Sequence, residues 1–170
     1  MKWIGAILIL GSACWFGFEQ AKQLADRTKQ LKMMIAALQS LEAEIMYGHT
    51  PLHEAARKIG HQFGFPVSQL FLTFAETILS TEISVDEAWK NSLHFIRNKA
   101  AFKRPEYEII EQFGGSLGKH DLLTQQKHIL LTLAHLQREE EEARENQKKY
   151  EKMYKSLSIL VGLLLVLLLF

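Results

Sequence analysis

Two uncharged runs mark the ends of the chain, and apolar residues at helical spacing fill what lies between. Trp3 to Phe18 (WIGAILILGSACWFGF) is sixteen residues without a formal charge, and Leu157 to Phe170 (LSILVGLLLVLLLF) is fourteen. A helical crossing takes about 20 apolar residues and rarely fewer than about 17. Each run is therefore expected to be a short membrane segment that borrows length from its flanks or sits in locally thinned bilayer. The alternative for the first is a cleaved signal peptide, with Lys2 as its n-region and Gly11 to Ala13 as a poor cleavage site. The alternative for the second is a buried core helix, although its all-round Leu, Ile and Val leave no polar face. Lys22, Arg27, Lys29 and Lys32 follow the first run, and Lys148, Lys149, Lys152 and Lys155 precede the second. Positive flanks stay on the cytoplasmic side of a membrane, so the middle of the chain is expected there. The expected division is 1–18, 19–156 and 157–170.

Between the two ends no period-2 alternation stands out, and the pattern predicts an all-α, six-helix bundle with long first and last helices. The first runs on from the membrane segment with Leu24, Leu31, Leu38 and Ile45 seven apart and Met34, Ile35 and Leu41 beside them, and ends near Tyr47 and Gly48. Thr50 is the N-cap candidate of the second, with Pro51 in its first turn and Leu52, Ala55, Ala56, Ile59 and Phe63 on its apolar face. After the break at Gly64 to Pro66, a third helix from Val67 to Leu79 places Leu70, Phe71, Phe74 and Ile78 on one side. Ser84 with Glu87 forms a capping box for a fourth helix carrying Val85, Ala88, Trp89, Leu93 and Ile96. Pro105 opens a fifth, whose end is punctuated by Gly114, Gly115 and Gly118. Asp121 is the N-cap candidate of the last helix. That helix repeats Ile129, Leu133, Leu136, Ala143, Tyr150, Tyr154 and Leu157 in steps of three, four and seven, with Glu140 and Gln147 in two of the apolar places, a moderate coiled-coil pattern. Since both long helices end at one membrane face, they are expected to run antiparallel.

Charge and chemistry narrow the function. With 20 Lys and Arg against 19 Asp and Glu there is no basic excess of the kind phosphate neutralisation needs, so nucleic acid is not an expected partner. At 170 residues the chain has room for a single folded domain. The one cysteine, Cys14, allows no internal disulfide or Cys-based zinc cluster. His49, His53 and His61 beside Glu54 suggest a metal, but Pro51 starts a new helix between the first two and breaks the i, i+4 face that zinc would use. His128 and His135 share one face of the last helix and read as solvated or satisfied imidazoles. Adjacent acids such as Glu42 with Glu44, or Glu139 to Glu142, point in different directions on a helix. Arg138 to Lys155 holds six acids and six bases, arranged in pairs such as Glu140 with Arg144, Glu145 with Lys149 and Glu151 with Lys155. Phosphate loop, nucleophile elbow and dinucleotide fingerprint are all missing from the sequence. No catalytic residue, cofactor, small-molecule substrate or metal ligand is expected, and a metal-binding protein built on the histidines is the weaker alternative.

Three segments carry a resemblance: LQSLEAEIMYGHTPLHEA from Leu38, FGGSLGKHD from Phe113 to Asp121, and TQQKHILLTLAHLQREEEEA from Thr124 to Ala143. Together they resemble the stage III sporulation protein AB family of endospore-forming Firmicutes, over essentially the whole chain. The resemblance implies a fold similar to the six-helix cytoplasmic domain of the type II secretion platform protein F. It implies a role in the mother cell, in the secretion-like channel joining mother cell and forespore, with a hexameric secretion-type ATPase and other membrane subunits as partners. The expected mechanism is mechanical coupling of that ATPase to the membrane complex. Platform proteins usually hold two copies of the helical domain, so self-association of this single-copy chain is a further expectation. The helical corner with its Gly stop and Pro start supplies the expected partner-binding residues, Glu42, Glu44, Tyr47 and His49. A generic membrane adaptor outside sporulation is the alternative reading.

Overall fold

A computed structural model describes residues 2–48, 50–80, 83–118 and 122–169; for 2–10, 13, 14, 122, 123, 165, 166, 168 and 169 the backbone alone is described. Among the described residues there are six α-helices and no strand: α1 (Lys2–Met46), α2 (Leu52–Gln62), α3 (Val67–Ser80), α4 (Val85–Ile96), α5 (Arg104–Ser116) and α6 (Leu122–Leu169). The chain forms two compact units, Lys29–Glu140 and Met1–Thr28 with Glu141–Phe170.

The core of the 29–140 unit is built where the periodicity places it. Leu31, Met34, Leu38 and Leu41 of α1 are fully buried, as are Ala55 and Ala56 of α2 and Leu70, Phe71 and Phe74 of α3. The short helices pack in sequence order, α2 on α3, α3 on α4 and α4 on α5. Trp89 of α4 is the hub. Its ring meets Phe71, Phe74 and Phe113 edge to face, with centroids 5.5, 5.0 and 5.4 Å away, the arrangement that the aromatic quadrupole favours. Its indole N–H donates to the Ile110 carbonyl at 2.7 Å, so the one polar atom of the ring is satisfied inside the core.

Several local expectations change. Ser84 caps α4 by accepting the Glu87 N–H at 3.2 Å, as its spacing predicts. Thr50 does not cap α2: Pro51 holds the cap position without a side-chain bond, and the Thr50 hydroxyl donates to Glu44 instead. Gly114 and Gly115 lie inside α5 and do not end it. A Cβ on Gly114 would stand 2.1 Å from Trp89 Cδ1, so this glycine is there to admit the indole. Gly118, with φ +74°, is the glycine that turns the chain after the helix. The backbone N–H of Lys103 donates to the buried Glu106 carboxylate, which closes the first turn of α5. Asp121 lies outside the described residues.

Within this unit α1 and α6 run antiparallel, since Lys32 meets Glu140 at 3.7 Å while Gln126 Nε2 donates to Glu42 Oε1 at 3.0 Å. Ile129, Leu133 and Leu136 of the α6 seam are buried. Glu140, the acid in an apolar place, keeps only 15% of its side chain exposed and leans toward the Lys32 ammonium.

The second unit is the pair formed by residues 2–28 of α1 and 141–169 of α6. These segments are also antiparallel: Gly17 meets Tyr154 and Ser158, and Arg27 lies 3.9 Å from Glu142. Gly17, Ala21, Ala143 and Gly162 are buried, small residues that let two helices approach closely. The larger apolar side chains face outward, among them Trp15 (77% exposed), Phe16, Phe18, Leu160 and Leu164. Leu157, read as the last member of the α6 seam, is exposed too. Among the described residues no helix is long and apolar enough to cross a membrane, and this does not support the expected terminal membrane segments. The physical reason is length: at 1.5 Å per residue, sixteen and fourteen uncharged residues reach about 24 and 21 Å, against a hydrocarbon core of about 30 Å. Both runs include side chains outside those described, Cys14 among them.

Candidate functional site

The corner between α1 and α2 is held by one carboxylate. Glu44 accepts from the Thr50 hydroxyl at 2.7 Å and from the Lys58 ammonium at 3.1 Å. The Thr50 bond first, and then Lys58, hold the Glu44 carboxyl below its ordinary value. Because Gly48 carries no side chain, the turn can close: a Cβ there would lie 2.8 Å from the Glu44 carbonyl and 2.9 Å from the Thr50 hydroxyl. The corner borders an open cavity of about 420 Å³ lined by Ser40, Ala43, Glu44, Tyr47, Gly48, Ile59 and Gln62. Tyr47 projects beside it, 80% exposed.

Of the four expected partner-binding residues, Glu44 and Tyr47 come together on this cavity. Glu42 turns away from it and accepts from Gln126 of α6. His49 lies outside the described residues. Lys58 and Thr50, which fix the Glu44 carboxylate, do not follow from spacing alone. Lys58 lies fourteen residues away, and a Thr before a Pro reads first as a helix cap.

Two other surfaces complete the picture. Between α4 and α5 a cavity of about 500 Å³ is lined by Lys90, His94, Arg97, Arg104, Glu108 and Glu111, among others. At its edge the Tyr107 hydroxyl donates to the Arg97 carbonyl at 2.7 Å, and the Arg97 guanidinium lies 5.9 Å over the Tyr107 ring. Burial pushes the Tyr107 phenol up to about 12. Between α5 and α6, His128 and His135 line a shallow cavity with Ile109, Phe113 and Leu131. His53 Nε2 is 3.9 Å from Glu54, and among the described residues no three His, Cys, Asp or Glu side chains group as metal ligands would. Among the described residues the arrangement offers charged, shaped surfaces and no convergent set of reactive groups.

Comparison with known proteins agrees with this architecture. The sequence profile of the Stage III sporulation protein AB family matches residues 2–170. Stage III sporulation protein AB of Bacillus subtilis (strain 168) is 48% identical over 169 residues, covering 99% of each chain. A solved structure of a Stage III sporulation protein AB superposes with a TM-score of 0.70 at 46% identity, covering 73% of this chain and 98% of that one. The match over residues 2–170 and the 48% identity along the whole chain lead to one conclusion: the chain belongs to the Stage III sporulation protein AB family.

Proposed function

We propose that this sporulation protein is a membrane-anchored structural component of the channel between mother cell and forespore. In this reading residues 1–18 and 157–170 hold the chain in the mother-cell membrane that faces the forespore. The helical unit stands in the cytoplasm, where it couples a secretion-type ATPase to the other membrane subunits and associates with further copies of itself. The observation that carries the reading is the outward surface of the paired terminal helices. Their small residues are spent on each other, and Trp15, Phe16, Phe18, Leu160 and Leu164 are left without cover. Apolar side chains gathered in this way mark a membrane or protein contact. Lys155, whose ammonium lies 5.9 Å over the Phe18 ring, stands where a cation bordering the hydrocarbon edge is expected.

The α1–α2 corner is the proposed ATPase contact, through Glu44 and Tyr47 on the cavity and Glu42 and His49 close by in sequence. Co-purification from sporulating membranes tests the whole. Wild-type chain is expected to stay in the membrane after carbonate washing and to bring down an ATPase and membrane subunits. Glu42→Lys with Glu44→Lys is expected to reduce ATPase recovery while leaving helix content unchanged. Extraction by carbonate would remove the anchor, undiminished recovery would remove the corner, and crosslinking that yields monomers alone would remove self-association. An in-frame deletion without effect on spore yield would favour a generic membrane adaptor.

A further inference from the structure

Residues 124–138 of α6, TQQKHILLTLAHLQR, contain no acid. Within this stretch Lys127, Leu131, Ala134, His135 and Arg138 follow one another at helical spacing on one face. All five are exposed, Leu131 to 58%. The seam residues Ile129, Leu133 and Leu136 are buried on the other side, and Glu140 is turned inward to Lys32 of α1. Among the described residues no carboxylate meets Lys127 or Arg138. These two cations are eleven residues apart, about 16 Å along the helix.

Beside this face runs a shallow groove of about 260 Å³ between α5 and α6. Ile109, Gln112, Phe113 and Ser116 form one wall, and Leu131 and Thr132 with the two imidazoles form the other. Among the described residues no Lys, Arg, Asp or Glu lines it. Its hydroxyls are already engaged within their own helices. Thr132 donates to the His128 carbonyl at 2.9 Å, and Ser116 donates to the Phe113 carbonyl at 2.7 Å. The nearby acids of α5 serve its other side, Glu108 bonded to Arg104 at 2.8 Å and Glu111 lining the cavity toward α4. An apolar middle with a cation at each end is thus left open on the 29–140 unit.

We propose that the α5–α6 groove seats an amphipathic helix of another protein. The apolar ridge of that helix lies against Leu131 and Ile109, and two acids about three turns apart on it reach Lys127 and Arg138. A helix suits the site because its ridge of side chains packs into the groove between two others. A phosphate ligand does not, since the cations stand about 16 Å apart with Leu131 and Ala134 between them. A second copy of this unit does not supply the ridge either: no helix within 29–140 carries two acids about three turns apart. The cations set register and encounter rate, while the apolar contact supplies most of the affinity. The proposal is independent of the terminal helices and of the α1–α2 corner.

The test is fluorescence anisotropy of a labelled, helix-stapled peptide titrated with the full chain in neutral detergent. The peptide carries two glutamates about three turns apart, with leucines between them on the same face. Saturable binding is expected, and added salt should weaken it. Leu131→Gln should weaken it about tenfold or more, and Lys127→Gln with Arg138→Gln should remove most of its salt dependence. All three side chains are exposed, so the variants are expected to melt with the wild type. Absence of saturable binding would overturn the proposal. So would equal binding of a peptide with lysine in place of both glutamates, or undiminished binding by Leu131→Gln. Self-association of the chain that Leu131→Gln abolishes would give the face to a second copy and overturn it as well.

Discussion

Gly17 of α1 faces Ser158 of α6 so closely that a Cβ on the glycine would stand 2.1 Å from the serine Oγ, 2.4 Å from its Cβ and 2.9 Å from the Tyr154 carbonyl. The hydroxyl can rotate away, but the serine Cβ and the backbone carbonyl cannot. Gly17→Ala is therefore expected to separate the paired helices locally, and amide exchange at 154–160 should quicken. Gly11→Ala, with nothing within 4 Å of the added carbon, should leave that exchange unchanged or slower.

A second glycine pair sets helix propensity against packing. Alanine gains up to about 1 kcal/mol over glycine inside a helix, whereas overpacking a tight core costs about 1–3 kcal/mol. At Gly114 the added Cβ would strike the Trp89 ring, which three aromatic edges and the Ile110 carbonyl hold in place. Gly114→Ala is thus expected to lower the melting temperature by several degrees. At Gly115 the nearest atom would be Asp86 Oδ1 at an ordinary 3.6 Å, so Gly115→Ala should hold or raise it. Thermal unfolding of the two variants side by side checks the comparison.

Alkaline titration should single out Tyr107. Its phenol is pushed from 10.0 up to about 12 by burial, so the folded state keeps a proton that the unfolded state releases first. Stability from this group is complete below about pH 10 and falls as pH rises toward about 12. Tyr107→Phe is expected to flatten that decline, measured as denaturant midpoint against pH.

At the opposite end of the scale, Thr50→Val should raise the Glu44 carboxyl toward its ordinary value by removing the 2.7 Å bond that does most to hold it down. Lys58→Met should act in the same direction, through the loss of its hydrogen bond and of its charge. The sign for stability follows: the contribution of Glu44 is present above the unfolded value of 4.5 and is lost as pH falls through the folded one. Carboxyl NMR titration of the three proteins checks the direction.

The heptads of α1 were legible because burial there follows one stripe, and Leu31 and Leu38 are buried as their spacing predicts. Glu140 was expected to pair with Arg144 along the helix, but it is largely buried and leans toward Lys32 of α1, while Arg144 lies 3.4 Å from Glu141. Trp89 could be assigned to the core but not recognised as its centre, because its ring partners come from two other helices, α3 and α5. Thr50 misled for a chemical reason: a hydroxyl that could have capped backbone N–H groups found a carboxylate, and hydrogen bonds to charged groups are stronger. Gly114 misled because glycine is read first as a stop, while the need for room beside an indole depends on where another helix passes. The expected α1–α2 site was half assembled by the fold, as Glu42 and Glu44, two residues apart, point to different neighbours.

The placement of tryptophan gives the protein two natural optical reporters. Of its three indoles, Trp3 and Trp15 belong to the terminal helix pair and Trp89 alone to the 29–140 unit. Trp89 is fully buried, and Trp15 is largely uncovered. Emission from the buried ring should lie to the blue and resist aqueous quenchers, while the exposed one responds to whatever surrounds the terminal helices. A single spectrum, resolved by quencher access, can therefore follow unfolding of one unit and a change of surroundings at the other without any label.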